Sequence, residues 1–216
     1  MCIRGYPFLI RGSKKGPKPA KPTQGDDKPP APWQNTSAMR QLLLMRHAKS
    51  SWDDAALPDR DRPLNARGRK AAATMRTAIQ ELGLLPDMIL VSPARRTMQT
   101  LQALEPWDET PLIEPTDSLY LANPTQILAV LHGVPETVRS VMVLGHNPGL
   151  HDLALALRGA SQESRHQRGT AELALSEGFP TAALAEFTIT GAWWDLRDGG
   201  GRLVRFLTPK MLEAAG

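Results

Sequence analysis

The stretch RQLLLMRHAKS, Arg40 to Ser50, constrains the fold more than any other part of this chain. A short apolar run without polar alternation fits a strand buried on both faces, and such a strand needs helices on either side of a largely parallel sheet. The run then stops at an arginine and a histidine, for which a buried strand offers no partner. Strand-like and helix-like segments alternate from there to the end, which predicts an α/β fold: a three-layer α/β/α sandwich whose mostly parallel central sheet has an antiparallel edge.

The pattern predicts strands at Arg40–Arg46, Asp87–Ser92 and Arg139–Gly145. Helices are expected after Pro63, capped by Asn65 and stopping at Gly83; after Pro93 to about Leu104; from about Thr125 to His132; and within PGLHDLALALRG. LIEPTDSLYLANP reads as irregular or as an edge strand. TAALAEFTIT and GRLVRFLTP alternate as antiparallel strands do, with RDGGG as a hairpin turn between WWDL and the last strand.

Charge separates the chain into two parts. Residues 1–38 hold seven of the 19 prolines, seven Lys/Arg and two Asp, without helical or strand periodicity, and are expected to be a disordered tail. The other residues, 39–216, form the expected folded domain and carry 19 basic against 20 acidic groups, close to neutrality. The sequence pI of about 9.5 therefore belongs to the tail, and neither nucleic acid nor membrane is expected as a partner. The arginines in MCIRGYPFLIRG interrupt an apolar stretch too short for a signal-peptide core. A single cysteine excludes an intramolecular disulfide framework, and a cytoplasmic location is the expectation.

Three predicted strands end in reactive or phosphate-friendly residues: MRHAKSSWD, VSPARRTMQT and VLGHNPG. In an open α/β sheet, ligands bind outside the carboxyl ends of the strands, where the following helices present free N–H groups. Singly, each piece has a structural explanation, as a packed histidine, a helix start with solvated arginines, or a turn. Together and in this order they offer two arginines, two histidines and several hydroxyls to one point.

In these motifs the chain resembles the histidine phosphatase superfamily, with its phosphoglycerate mutase-like fold, and more closely the SixA-type branch of phosphohistidine phosphatases. RHAKSSWD is similar to the superfamily's RHG signature, SPARRTMQT to its Ser-Pro-x-x-Arg-x-x-Gln-Thr segment and GHNPG to its second-histidine turn; DRPLNARG, FPTAALAEF and WWDL resemble the small branch. The resemblance runs from about Leu42 to Pro209. It implies His47 as nucleophile, Arg46 and Arg96 as phosphate ligands and His146 as the second histidine, with Ser50 as a phosphate contact or a loop cap. Arg95 is expected on the helix surface. Ala48 stands where the superfamily commonly has Gly, which is tolerable if the backbone there does not need positive φ.

The resemblance further implies a covalent phosphohistidine that water hydrolyses, one displacement becoming two easier ones. Arginines beside His47 pair with phosphoryl oxygens and disfavour imidazolium, and His146, held protonated by the phosphate, is expected to stabilise developing charge. A carboxylate proton donor is expected within DSLYLANP, where Leu121 takes its place; Asp117 is the nearest carboxylate. Arg62 and Asp53 are candidate rim residues, and Trp52, Trp193 and Trp194 are expected to pack. His146 and His151 lie five apart, wrong for one helix face, so activity without metal or cofactor is expected. The substrate expected is a phosphorylated protein carrying phosphohistidine. A phosphomonoesterase acting on a small phosphorylated metabolite and a non-catalytic phosphoprotein-binding module remain alternatives.

Overall fold

The computed structural model describes residues 39–107, 109–158 and 169–215, so the expected tail, residues 1–38, lies outside the described residues. Six strands form one sheet in the order β3-β2-β4-β1-β5-β6: β1 Arg40–Arg46, β2 Met88–Val91, β3 Leu112–Pro115, β4 Ser140–Gly145, β5 Leu184–Ile189 and β6 Gly201–Leu207. The first four pair in parallel, while β5 runs antiparallel to both β1 and β6. The helices are α1 Ala66–Glu81, α2 Arg95–Leu104, α3 Pro124–His132, α4 Gly149–Arg158, α5 Thr170–Glu177 and α6 Pro209–Ala215.

The three layers follow from the two-residue period of the central strands. Leu42 and Leu44 of β1 join Val141 and Val143 of β4 in one core with α3, α4 and α5. Leu43 and Met45 join Met142 and Leu144 in the other core, with α1 and α2. All eight side chains are fully buried, which is why these strands read as unbroken apolar runs.

The predicted elements are present with ends shifted by up to three residues. LIEPTDSLYLANP resolves into the exposed edge strand β3 and a single 3-10 turn at Asp117–Leu119. WWDL is not a strand beside the hairpin turn. It forms a 3-10 turn within the β5–β6 connection, where Trp193 is buried and its indole donates to the Val138 carbonyl at 2.8 Å. Trp194 is 65% exposed and does not pack as expected. Two helices were not anticipated. α5 buries only Leu175, too little for a periodic signal, and α6 follows directly on the last strand with Leu212 as its contact to the core.

One glycine ties a helix to the loop after β1. Asn65 caps α1 by accepting from the Gly68 N–H at 2.8 Å, and its own N–H donates to the Lys49 carbonyl at 3.0 Å. The helix approaches so closely that a Cβ on Gly68 would lie 2.1 Å from that carbonyl oxygen. Alanine at an ordinary helix position gains about 1 kcal/mol over glycine, but here backbone must move, and overpacking of this kind costs about 1–3 kcal/mol. Gly68→Ala is therefore expected to lower the urea midpoint without changing the m-value, and to reduce activity by displacing Lys49 and its neighbours. An unchanged midpoint would contradict the contact.

Candidate active site

Strand register brings the two histidines together. Arg46 of β1 stands opposite Gly145 of β4, so the next residue on each strand, His47 and His146, leaves the sheet at the same point. Their rings lie 5.1 Å apart, tilted by 56°, and only 8% and 3% of these residues is exposed. β2 ends beside them, the Ser92 N–H donating to the Leu144 carbonyl at 3.0 Å.

His47 is held in one tautomer. Its Nδ1 lies 2.7 Å from the Ala48 carbonyl oxygen; a carbonyl only accepts, so Nδ1 carries the hydrogen and Nε2 of the neutral ring keeps its lone pair. Ala48 is itself anchored. Its N–H donates to Thr100 Oγ1 at 3.0 Å, and the Thr100 hydroxyl donates to the Arg96 carbonyl at 2.6 Å. Gln99 accepts from the Leu64 N–H at 2.7 Å. The Gln-Thr pair of the second motif thus fixes backbone, holding the segments next to His47 and at the start of α1 in place. Ala48 does not have positive φ, so a side chain is accommodated there.

Arg96, 4% exposed, is the hub of the cavity. Its Nη1 donates to the Asp59 carbonyl at 2.5 Å, and its Nη2 reaches Asp59 Oδ2 at 2.9 Å and His146 Nδ1 at 3.3 Å. Guanidinium donates only, so His146 Nδ1 accepts and its Nε2–H is left to donate to Ser92 Oγ at 2.7 Å. His146 is therefore neutral in this structure; the expected protonated ring belongs to the phosphate-bound site. Arg46 is half-buried and donates to the Phe179 carbonyl at 2.9 Å; burial and the charge of Arg96 lower its pKa.

Burial pushes the His47 imidazole down to about 4, against its hydrogen bond to Ala48 and with the help of Arg96 and Arg46. Burial, followed by His47 and Arg96, pushes His146 down to about 3. The cavity over these groups, about 410 Å³, is lined by Arg46, His47, Lys49, Ser50, Arg96 and His146, with Asp59 as its one carboxylate. Three cations against one carboxylate and two neutral imidazoles leave a net charge near +2, the complement of a phosphoryl group of about −1.5 to −2. A larger cavity of about 880 Å³ adjoins it across Arg46 and Asn147 but contains neither His47 nor His146. Among the described residues no three His, Cys, Asp or Glu converge on a possible metal position.

The remaining candidates divide. Ser50 lines the cavity, and Arg95 is exposed on α2 as expected. Asp53 accepts from Ser51 Oγ at 2.7 Å, and Asp117 pairs with Arg60 at 2.6 Å; neither lines the cavity. Arg62 lies 3.6 Å from the centre of the Trp52 ring. Trp52 is not a packing residue: it is 71% exposed and lines the cavity mouth, as does Leu121, which is 53% exposed with φ 49°.

Sequence reasoning missed Asp59 and Tyr120. The Tyr120 hydroxyl donates to Asp59 Oδ2 at 2.8 Å, and its ring stands edge-on to His146, centroids 5.6 Å apart. Partial burial raises the Asp59 pKa, but hydrogen bonds from Tyr120 and Arg96 outweigh it and hold the carboxyl below its ordinary range. The available signal was weak, since Asp59 is one of four aspartates between Asp53 and Asp61.

Both histidines are neutral when folded and take up protons near 6.5 when unfolded. The unfolded chain thus binds more protons between pH 6.5 and about 4, and stability is expected to fall as pH falls through that window. Urea titrations of wild type and a His47→Gln/His146→Gln variant check this. The variant should show a flatter loss, and an equal slope would contradict the burial argument.

Comparison with known proteins places this geometry in a family. The model of the histidine phosphatase superfamily (branch 1) matches residues 42–117. An uncharacterised chloroplastic protein of Arabidopsis thaliana is 32% identical over 186 residues, 81% of this chain and 80% of the relative. A structure described as a candidate phosphohistidine phosphatase SixA from Nakamurella multipartitia aligns with a TM-score of 0.66 at 32% identity, covering 79% of this chain and 96% of that one. Its counterpart from Agrobacterium tumefaciens, also described as a candidate SixA, aligns at 0.64 and 31%, covering 79% and 98%. A cavity that gathers two histidines and two arginines outside the strand ends, a matching family model and alignments over 79% of this chain lead to one conclusion: the chain belongs to the histidine phosphatase superfamily, in its SixA-type branch.

Proposed function

We propose that this chain is a phosphatase that works through a covalent phosphohistidine on His47 and acts on phosphohistidine in proteins. The observation that carries the mechanism is the Nδ1–H bond of His47 to the Ala48 carbonyl, which leaves the Nε2 lone pair in a cavity lined by Arg46, Arg96 and His146. In the first step Nε2 attacks phosphorus, the bond from phosphorus to the leaving nitrogen breaks, and the leaving imidazole departs with the proton it already carries. In the second step water attacks phosphorus, the bond to His47 Nε2 breaks, and the water's proton leaves with inorganic phosphate or the solvent. Arg46 and Arg96 balance the charge of the phosphoryl oxygens in both steps.

The leaving group supports the substrate. An alkoxide needs a proton donor in the transition state, yet the one carboxylate lining the cavity, Asp59, is held ionised by Arg96 and Tyr120. Leu121 stands at the mouth. A phosphoramidate needs no such donor, because its imidazole is protonated beforehand. The relatives described as candidate phosphohistidine phosphatases support the same choice.

His47→Ala is expected to abolish turnover of a phosphohistidine protein in the presence of EDTA, and Arg96→Ala to lower kcat/KM by about 10²–10³-fold. Turnover of nitrophenyl phosphate alone would favour a metabolite phosphomonoesterase; phosphoprotein binding without turnover would favour a binding module. A second expectation concerns pH. With His47 titrating at about 4, kcat/KM for nitrophenyl phosphate, corrected for substrate ionisation, should have its acid limb below pH 5. A limb at the ordinary imidazole value of about 6.5 would contradict a buried neutral nucleophile.

A further inference from the structure

A groove of about 600 Å³ leaves the catalytic cavity between α1 and α6, sharing Lys49 and Thr181 with it. Its walls carry Lys49, Arg67, Lys70 and Lys210, all exposed, against a single carboxylate, Glu213. That carboxylate is taken by Lys70 at 3.6 Å. Lys49, Arg67 and Lys210 have no side-chain partner among the described residues. Pro180 and Pro209 contribute rigid apolar surface below the charges.

This concentration of positive charge is local. Outside residues 1–38 the chain has 19 basic and 20 acidic groups, so an unpaired basic groove is not the residue of a generally basic domain. It also opens from the cavity proposed to take the phosphoryl group, so one molecule can reach both.

We propose that the groove seats an acidic segment of the phosphorylated protein, extending outward from the phosphorylated residue. The assignment rests on the reading of the substrate as a protein. Lys49 bridges both parts, facing the phosphoryl group at one end and the first acidic side chain at the other. Arg67 and Lys210 hold the rest of the segment, and the attraction speeds encounter as well as holding the complex.

The test uses two synthetic phosphohistidine peptides that differ only in the residues beside the phosphohistidine, acidic in one and the corresponding amides in the other. Three exposed charge pairs should favour the acidic peptide by about tenfold in kcat/KM, and added salt should shrink the preference. Arg67→Glu/Lys210→Glu should remove most of the preference while leaving nitrophenyl phosphate turnover unchanged, which also shows that the variant folds. Equal kcat/KM for the two peptides in wild type, or a preference that survives in the variant, overturns the proposal. If neither peptide is turned over but the ester is, the substrate reading fails. The groove is then judged by fluorescence anisotropy of the same peptides: tighter binding of the acidic peptide by wild type only sustains it, and equal binding overturns it. Anionic vesicles or duplex DNA displacing the acidic peptide from wild type and binding it more tightly than the peptide does would also overturn it, in favour of those surfaces.

Discussion

The parallel pairing of β1 with β4 is the constraint on which the other features depend. With Arg46 opposite Gly145, His47 and His146 emerge as neighbours; a slip of one residue would turn the apolar side chains of β1 to the wrong faces and separate the imidazoles. The two cores prevent that slip. Leu42 and Leu44 are committed to one side of the sheet and Leu43 and Met45 to the other, so the alignment of His47 with His146 is secured by burial along the strand that precedes it.

A second tier of contacts converts that alignment into a chemical state. Thr100 holds the Ala48 N–H, the Ala48 carbonyl holds the His47 Nδ1–H, and Ser92 and Arg96 occupy both nitrogens of His146. Each histidine is thereby fixed in tautomer before substrate arrives. Close packing adds to this on both flanks. α1 rests on Lys49 through Gly68, and α4 rests on Ala122 through Gly149, where a Cβ would lie 1.8 Å from the Ala122 carbonyl oxygen. The segments bearing Lys49 and Leu121 are both backed by helices, which suits a site that must hold its geometry.

Much of this was legible in the sequence, for reasons of range. Buried strands and capped helices are written in local patterns, and the three motifs each follow a strand, so their order placed two histidines and two arginines at one point, and the family resemblance singled out His47, Arg46, Arg96 and His146. What was missed depends on tertiary approach. Nothing local separates Asp59 from Asp53, Asp54 or Asp61; the choice is made by Arg96, 37 residues later, reaching back to it. Asp117 looked better placed because it opens the expected donor segment, but the turn at Asp117–Leu119 directs it to Arg60 and leaves Tyr120 against His146 and Asp59. Trp52 illustrates the opposite error: a large aromatic is assigned by default to a core, whereas Arg62 covers this ring and the loop presents it to solvent.

The Asp59–Arg96 pair sets a limit on how firmly the cavity grips its own product. Inorganic phosphate carries the same oxygens and nearly the same charge as the group being transferred, so two unengaged guanidinium groups would retain it as readily as they recruit substrate. With Asp59 already satisfying part of the Arg96 fork, an incoming dianion gains only what it adds beyond that carboxylate. On the proposed reading, the site gives up some affinity for every phosphoryl ligand, and released phosphate competes with a carboxylate that already holds Arg96.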